Sequence, residues 1–274
     1  MREYQENSSA VLQMERPQHN DADYSPASNL TFGAPRNHLL AALRPEEWER
    51  IFPFLQSCVL EPGQPLFEAG EPIERVYFPH SGLVSFLVGE RKAGDAFFVD
   101  TGLGGCETAV VDISVLTGGA AFVRNIVQVG GEGCWMPAPE FREEYRRGGV
   151  MQAGVLGSLG LLTAQSAQSA LCNKLHTTEE RLSRWLLLAH DRIGDDEIEI
   201  RQKFLAYMLG TRSSGVAVAL GVLQQAGLIL HSPERVTLLD RPALENCACE
   251  CYSIIAREYR VYEGMMSRLH ELSH

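Results

Sequence analysis

Three cysteines fall within five residues in "CACEC": Cys247, Cys249 and Cys251. Thiolates grouped this closely bind soft metal ions or exchange electrons as a dithiol. Read as one helix, the segment places Cys247 and Cys251 on a shared face at i and i+4 and turns Cys249 away. The expectation is therefore buried or idle thiols with no metal site assigned, and soft-metal or redox sensing is the alternative. The eight histidines show no metal-type pairing on one helix, and His176 and His190 are expected to be structural or exposed. The glycine-rich "TGLGGCE", Thr101 to Glu107, lacks the third glycine of a dinucleotide loop, and no βαβ unit surrounds it, so it reads as a loop of a β domain. No nucleophile, base and oxyanion donors form a catalytic arrangement, and no enzyme is expected.

Composition narrows the setting for these groups. The chain has 274 residues, long enough for two modest cores, with 45% hydrophobic and 22% charged residues. It has no apolar run of the roughly 18–20 residues needed to span a membrane. The N-terminus is polar and broken by prolines, without the apolar stretch of a signal peptide, so a cytoplasmic address and reduced thiols are expected for the seven cysteines. A net charge of −11 argues against indiscriminate nucleic-acid binding but leaves room for a local basic patch.

The elements that must position any site follow from periodicity. Residues 1–36 are rich in Asn, Ser, Pro and charge and read as a flexible tail. Leu39, Leu40, Leu43, Trp48, Ile51 and Leu55 recur at helical intervals, with Pro45 opening a second turn. Between Cys58 and Pro139 short β-rich runs are cut by Gly and Pro, which predicts a compact antiparallel β unit within 37–148. Gly82 in "HSG" sits where a tight turn requires positive φ. Over 149–173 a long helix carries Met151, Val155, Leu159, Leu162 and Ser166 on one stripe, with Gly154, Gly157 and Ser158 allowing another backbone to approach. A partner helix from a second copy is expected to pack there, making this the dimerisation helix; the alternative is packing on the chain's own β domain. The next helix takes Thr177 or Thr178 as N-cap, buries Leu182, Trp185, Leu186 and Ala189, and stops at Gly194. Residues 241–274 form a helical extension with Tyr252, Ile255, Tyr259, Tyr262 and Met266 on one face, packed on its own winged domain or on a partner.

Within 174–240, Ala206, Gly210 and Val216 occupy the small, turn and buried positions of a helix-turn-helix, with Ala219, Leu220 and Leu223 continuing the inward face. "GLILHSPERVTLLD" supplies two β-rich runs around a turn, the hairpin of a winged helix. The class is α+β.

Together "PGQPLFEAGEP", "VYFPHSGLVSF", "RLSRWLLLAHDRIG" and "FLAYMLGTRSSGVAVALGVLQQAGLI" resemble the Crp/Fnr family of bacterial transcription regulators over roughly residues 38–252. The resemblance implies an N-terminal cyclic-nucleotide-binding-like β-roll, a homodimer held by the long helix, and a winged helix that reads the major groove of double-stranded DNA. An activator of this type would also touch RNA polymerase. Cyclic-AMP-responsive members grip their ligand with a Gly-Glu pair and an Arg-Ser or Arg-Thr pair. Here Gly105 and Glu107 are separated by Cys106, Ala121 and Phe122 stand at the second pair, and Arg124 is shifted, so a cyclic nucleotide is possible but unsupported by the usual residues. No cysteine precedes Cys58, which leaves the N-terminal iron–sulfur chemistry of the oxygen sensors without ligands.

The same resemblance puts Ser213, Ser214 and Val218 toward the bases, with Thr211 and Arg212 at the helix start and Ala217 and Gln224 toward the rims. Phosphates would be held by Arg201, Lys203, Arg212 and Arg235, four cations against Glu234 alone between 201 and 239. Without a base-reading Arg or Glu, readout would be modest. The competing reading is a relative with weakened operator binding that acts through protein contacts.

Overall fold

A computed structural model describes residues 36–92 and 95–273; the tail expected over 1–36 lies outside the described residues except for Arg36. The first helical segment is broken into α1 (His38–Ala41), α2 (Pro45–Ile51) and a 3-10 turn, with Pro45 opening α2. Asn37 caps α1 and is fully buried. It accepts from the Leu40 amide at 3.2 Å and donates to the carbonyls of Pro79 and Thr108 at 3.0 and 2.9 Å, fastening α1 to the β domain.

Seven strands follow: β1 (Gln56–Leu60), β2 (Pro65–Phe67), β3 (Arg75–Pro79), β4 (Leu83–Lys92), β5 (Asp95–Gly104), β6 (Arg124–Val129) and β7 (Gly131–Pro137). They pair antiparallel as β1-β7-β3 and β2-β6-β4-β5, the β-roll expected from the sequence. Gly82 before β4 has φ +85°, and a Cβ there would lie 2.6 Å from the Val129 carbonyl oxygen, so any side chain would be excluded twice over. Short α3 (Ser114–Thr117) bridges β5 and β6, and α4 (Ala138–Arg147) leads into α5 (Gly149–Leu175).

The remainder is α6 (Thr178–Ile193), β8 (Glu197–Glu199), α7 (Gln202–Met208), α8 (Ser213–Gln225), the hairpin β9 (Ile229–Ser232) and β10 (Arg235–Leu238), then α9 (Arg241–Cys247) and α10 (Cys251–Ser273). Thr177 is the N-cap of α6, its amide donating to Glu180 at 2.7 Å and its hydroxyl accepting from the Glu180 amide at 3.3 Å.

Alternation along β4 creates two cores. Val84 and Phe86 point into the β-roll interior, while Leu83 and Leu87 face the other way with Leu103 and Ile126. That outer face is covered by α6 and the winged helix, including Leu182, Trp185, Met208 and Leu209. The DNA-binding region is thus docked on the sheet.

The long helix corrects one expectation. Met151 and Val155 are fully buried in the chain's own core, and Leu159 and Leu162 pack against it. Ser166 donates to the Thr101 carbonyl at 3.0 Å, and the Gln165 amide group exchanges two hydrogen bonds with Leu103, closing the open edge of β5. The stripe Met151, Val155, Leu159, Leu162 and Ser166 is therefore unavailable to a second copy. The small residues on the same helix serve α10: a Cβ at Gly157 would meet Met265 and Tyr262, and one at Gly154 would meet Leu39 and Met266. Of the two partners open to the C-terminal stripe, it takes the chain itself, with Ile255, Tyr262 and Met266 buried against α5, the β-roll and α6.

The cysteine segment is also not one helix. α9 ends at Cys247 and the backbone is extended at Ala248, so Cys247 is exposed while Cys249 and Cys251 both turn inward.

Asp100 on β5 is buried between the sheet and α6, accepting from Trp185 Nε1 at 3.2 Å and the Gly102 amide at 3.0 Å. Burial pushes its carboxyl up to about 7. The folded state then holds the proton more tightly than the unfolded chain, so stability is greatest in acid and is lost as pH rises through about 7. Unfolding free energies of the native chain and Asp100→Asn at pH 5 and pH 8 should diverge in favour of the variant at pH 8, by about 2–4 kcal/mol. A difference independent of pH would contradict this.

Candidate nucleic-acid interface

The helix-turn-helix is built as its residue sizes require. Ala206 on α7 is buried, Gly210 turns the chain with φ +53°, and Val216, Ala219, Leu220 and Leu223 bury the inner face of α8. The Thr211 amide donates to the Ala206 carbonyl at 3.0 Å, closing the turn. A buried Arg181 from α6 donates to the Leu209 carbonyl and to Asn173, locking that turn to the end of α5.

The opposite face of α8 is open. Arg212, Ser213, Ser214 and Ala217 are exposed, Val218 is 62% exposed, and Thr211 is half-buried at the entry. Gln224, expected at the rim, accepts from the His231 amide at 2.9 Å and so holds the wing against α8.

The expected phosphate anchors are less free than the sequence suggested. β8 pairs with β10 and sets Glu197 and Glu199 beside Arg235, at 2.7 and 3.5 Å. Arg201 pairs with Glu234 at 3.6 Å. Two of the four expected cations are thus paired with three carboxylates, where the sequence suggested one, and Arg201 and Arg235 line a cleft of about 540 Å3 between the wing and Pro62 and Gln128 of the β-roll. The side chain of Lys203 lies outside the described residues. Sequence reasoning missed Glu197 and Glu199 because they precede the helix-turn-helix. The alternating "EIE" was the available signal, since it marks a strand with both acids on one face.

At the β-roll, Gly105 and Glu107 do come together: the Gly105 amide donates to Glu107 Oε2 at 2.9 Å. The other carboxylate oxygen accepts from Arg192 Nε of α6, also at 2.9 Å, with both side chains almost completely buried. Arg192 also stacks on Tyr259, 4.9 Å from its ring centre, and the Tyr262 hydroxyl donates to the Glu107 carbonyl at 3.1 Å. Burial raises both tyrosine hydroxyls, keeping Tyr262 a proton donor. Arg124 pairs with Glu68 at 3.2 Å and lies over Phe98. Around the second ligand-gripping position, Asp112 already accepts the amides of Phe122 and Val123 at 2.9 and 3.0 Å. The space between the sheet and α5, lined by Phe86, Leu103, Leu162 and Gln165, amounts to about 10 Å3. That admits about one water, where a nucleotide-sized ligand needs roughly 300 Å3 or more. Arg192 was legible in hindsight, since it continues the buried stripe Leu182, Trp185, Leu186 and Ala189.

Residues 180–247 match the family model of the Crp-like helix-turn-helix domain. Comparison with curated proteins gives no match. Among solved structures, a transcriptional regulator of the crp/fnr family from Eubacterium rectale superposes with a TM-score of 0.60 at 14% identity, covering 76% of this chain and 96% of that one. FixK2 from Bradyrhizobium japonicum gives 0.60 at 14% identity over 71% and 98% of the two chains. The c-di-GMP responsive global regulator CLP from Xanthomonas campestris gives 0.57 at 16% over 71% and 99%. At these identities the solved structures share the fold, and the family model assigns the domain. Residues 180–247 are thus a Crp-like helix-turn-helix domain, and the chain as a whole shares the fold of solved regulators of the Crp/Fnr type.

Proposed function

We propose that the chain is a cytoplasmic, homodimeric DNA-binding regulator, without enzymatic activity, that lays the outer face of α8 in the major groove. The observation that carries this reading is the division of α8 into a buried face that completes the helix-turn-helix and an exposed face of Ser213, Ser214, Ala217 and Val218 beside Arg212. The serines offer weak donors and acceptors to base edges and Val218 meets thymine methyls, so sequence selectivity leans on DNA shape. Thr211 and Arg212 approach the backbone at the helix entry; Arg201 and Arg235 contribute once phosphate displaces their carboxylate partners, and Lys203 lies two residues after Arg201 in sequence. An activator built this way also contacts RNA polymerase.

The dimer seam we assign to the other side of α5, where Leu156, Gly160, Thr163, Ala167, Ala170, Leu171 and Lys174 are exposed at heptad-like intervals. Two α8 helices related by a twofold axis then address successive turns of DNA. Regulation by a cyclic nucleotide at Gly105, Glu107 and Arg124 is disfavoured by the occupation of Glu107 by Arg192 and of Arg124 by Glu68.

Binding to promoter fragments across a salt series tests the reading. Arg212→Ala should weaken all fragments alike and lower the slope of log affinity against log salt by about one. Retention of no fragment above the level of an Arg212→Ala, Arg235→Ala variant would favour the second reading, action through protein contacts, which the carboxylates beside Arg235 also favour.

A further inference from the structure

The chain brings together four soft donors that its sequence keeps far apart. Cys172 lies in the last turn of α5 and His176 is the C-cap of that helix, while Cys249 and Cys251 lie at the joint between α9 and α10. Their donor atoms all lie within 4.8 Å of one another. The Cys172 and Cys249 sulfurs are 3.5 Å apart, as are Cys251 Sγ and His176 Nδ1. We propose that Cys172, His176, Cys249 and Cys251 form a tetrahedral zinc site that staples the joint between α5 and the DNA-binding unit to the foot of α10.

Geometry favours a single ion. Metal–sulfur bonds of about 2.3 Å in a tetrahedron set the sulfurs about 3.8 Å apart, close to the spacing found here. A cluster of several irons spreads its ligands beyond that span, and hard cations prefer oxygen donors. Three cysteines and one histidine are a donor set of structural zinc sites.

The surroundings fit as well. Gln168 Nε2 donates to Cys251 Sγ at 3.2 Å, the kind of outer contact that orients a thiolate ligand. Arg184 is buried beside Cys172, with its hydrogen bond going to Ser169 Oγ at 3.4 Å and its Nε without a partner among the described residues. Zinc with three thiolates and a neutral imidazole carries one negative charge, which offsets that buried cation. His176 is only half-buried and leaves a route for the ion.

The position gives the site its consequence. His176 directly precedes Thr177, the N-cap of α6, so the ion would fix the angle at which the helix-turn-helix leaves α5. The family match ends at Cys247, so Cys249 and Cys251 come from beyond the matched domain. Zinc content and DNA binding are separate measurements, so the inference stands or falls apart from the proposed function.

Metal analysis of the full chain, purified in reductant and washed free of loose ions, should find about one zinc per chain. Replacing zinc by Co2+ should give thiolate-to-cobalt charge transfer in the near ultraviolet and the visible bands of a tetrahedral ion. The pair Cys172→Ser, Cys249→Ser should retain under about a tenth of the metal, while Cys247→Ser, at the exposed neighbour, should retain all of it. The cobalt spectrum of the unmodified chain reports its ligands even where the double variant misfolds. Failure of the reduced chain to take up stoichiometric zinc, cobalt bands without thiolate character, or undiminished binding by a folded double variant would each overturn the assignment. So would a Cys172–Cys249 disulfide whose reduction restores no zinc uptake, an outcome that would make the cluster a dithiol pair.

Discussion

Glu107→Ala is expected to cost about 3–5 kcal/mol of unfolding free energy, the range for leaving one partner of a buried ion pair uncompensated. Glu107 and Arg192 are 0% and 1% exposed at their side chains, so bulk solvent does little to screen the pair. Removing the carboxylate strands the guanidinium, which keeps the Leu188 carbonyl and the face of Tyr259 but loses its carboxylate partner. The Gly105 amide loses its acceptor as well. Because Glu107 belongs to the β-roll, Arg192 to α6 and Tyr259 to α10, the damage reaches all three. Urea denaturation followed by tryptophan fluorescence measures it directly, and the melting temperature should fall by about 10 °C. A double variant, Glu107→Ala with Arg192→Leu, should recover much of the loss, since it removes the stranded charge. A single-variant cost below about 1 kcal/mol would mean that the pair is solvated in solution.

The second large effect concerns assembly. Leu156→Glu with Ala167→Glu places two carboxylates on the exposed stripe of α5, where Leu156 is 53% exposed. Facing copies of these charges across a twofold axis should dissociate the dimer, and loss of bivalent engagement should weaken operator binding by about a hundredfold or more. Both positions are solvent-facing in the protomer, so the monomer should unfold within about 0.5 kcal/mol per site of the parent. Sedimentation velocity and fragment binding on the same samples separate the two effects. Met151→Glu provides the contrast: buried in the protomer core, it should unfold the chain instead of dividing it into soluble monomers. A Leu156→Glu, Ala167→Glu variant that remains dimeric at micromolar concentration would reject the seam.

Elements governed by neighbouring residues were legible in the chain. The capping of α6 at Thr177, the turn glycine at Gly82, the small residue and glycine of the helix-turn-helix and the hairpin wing each depend on interactions within a few positions. So did the inward and outward faces of α8, because the helical period divides them without reference to anything else. What periodicity could not provide was the identity of the surface each face meets. The stripe of Met151 and Val155 was apolar for the sake of the β-roll, and the glycines beside it admit α10 of the same chain. The face left exposed lay one step around the helix, in smaller and more mixed residues.

Charge and thiol groupings depended still more on the fold. Glu197 and Glu199 meet Arg235 only because β8 adds to the wing, and Arg192 finds Glu107 only where α6 crosses the β-roll. "CACEC" gave a dense run of thiols, but a helix break at Ala248 decides which two turn inward, and Cys172 and His176 arrive from more than seventy residues earlier. The sequence by itself determined the kinds of element, their order and the family of the DNA-binding domain, since those follow from local period and turn chemistry. Only the tertiary structure decided which buried charge found its partner, which face of α5 stayed open and which sulfurs share one centre, because contacts between distant residues are fixed by how whole elements pack.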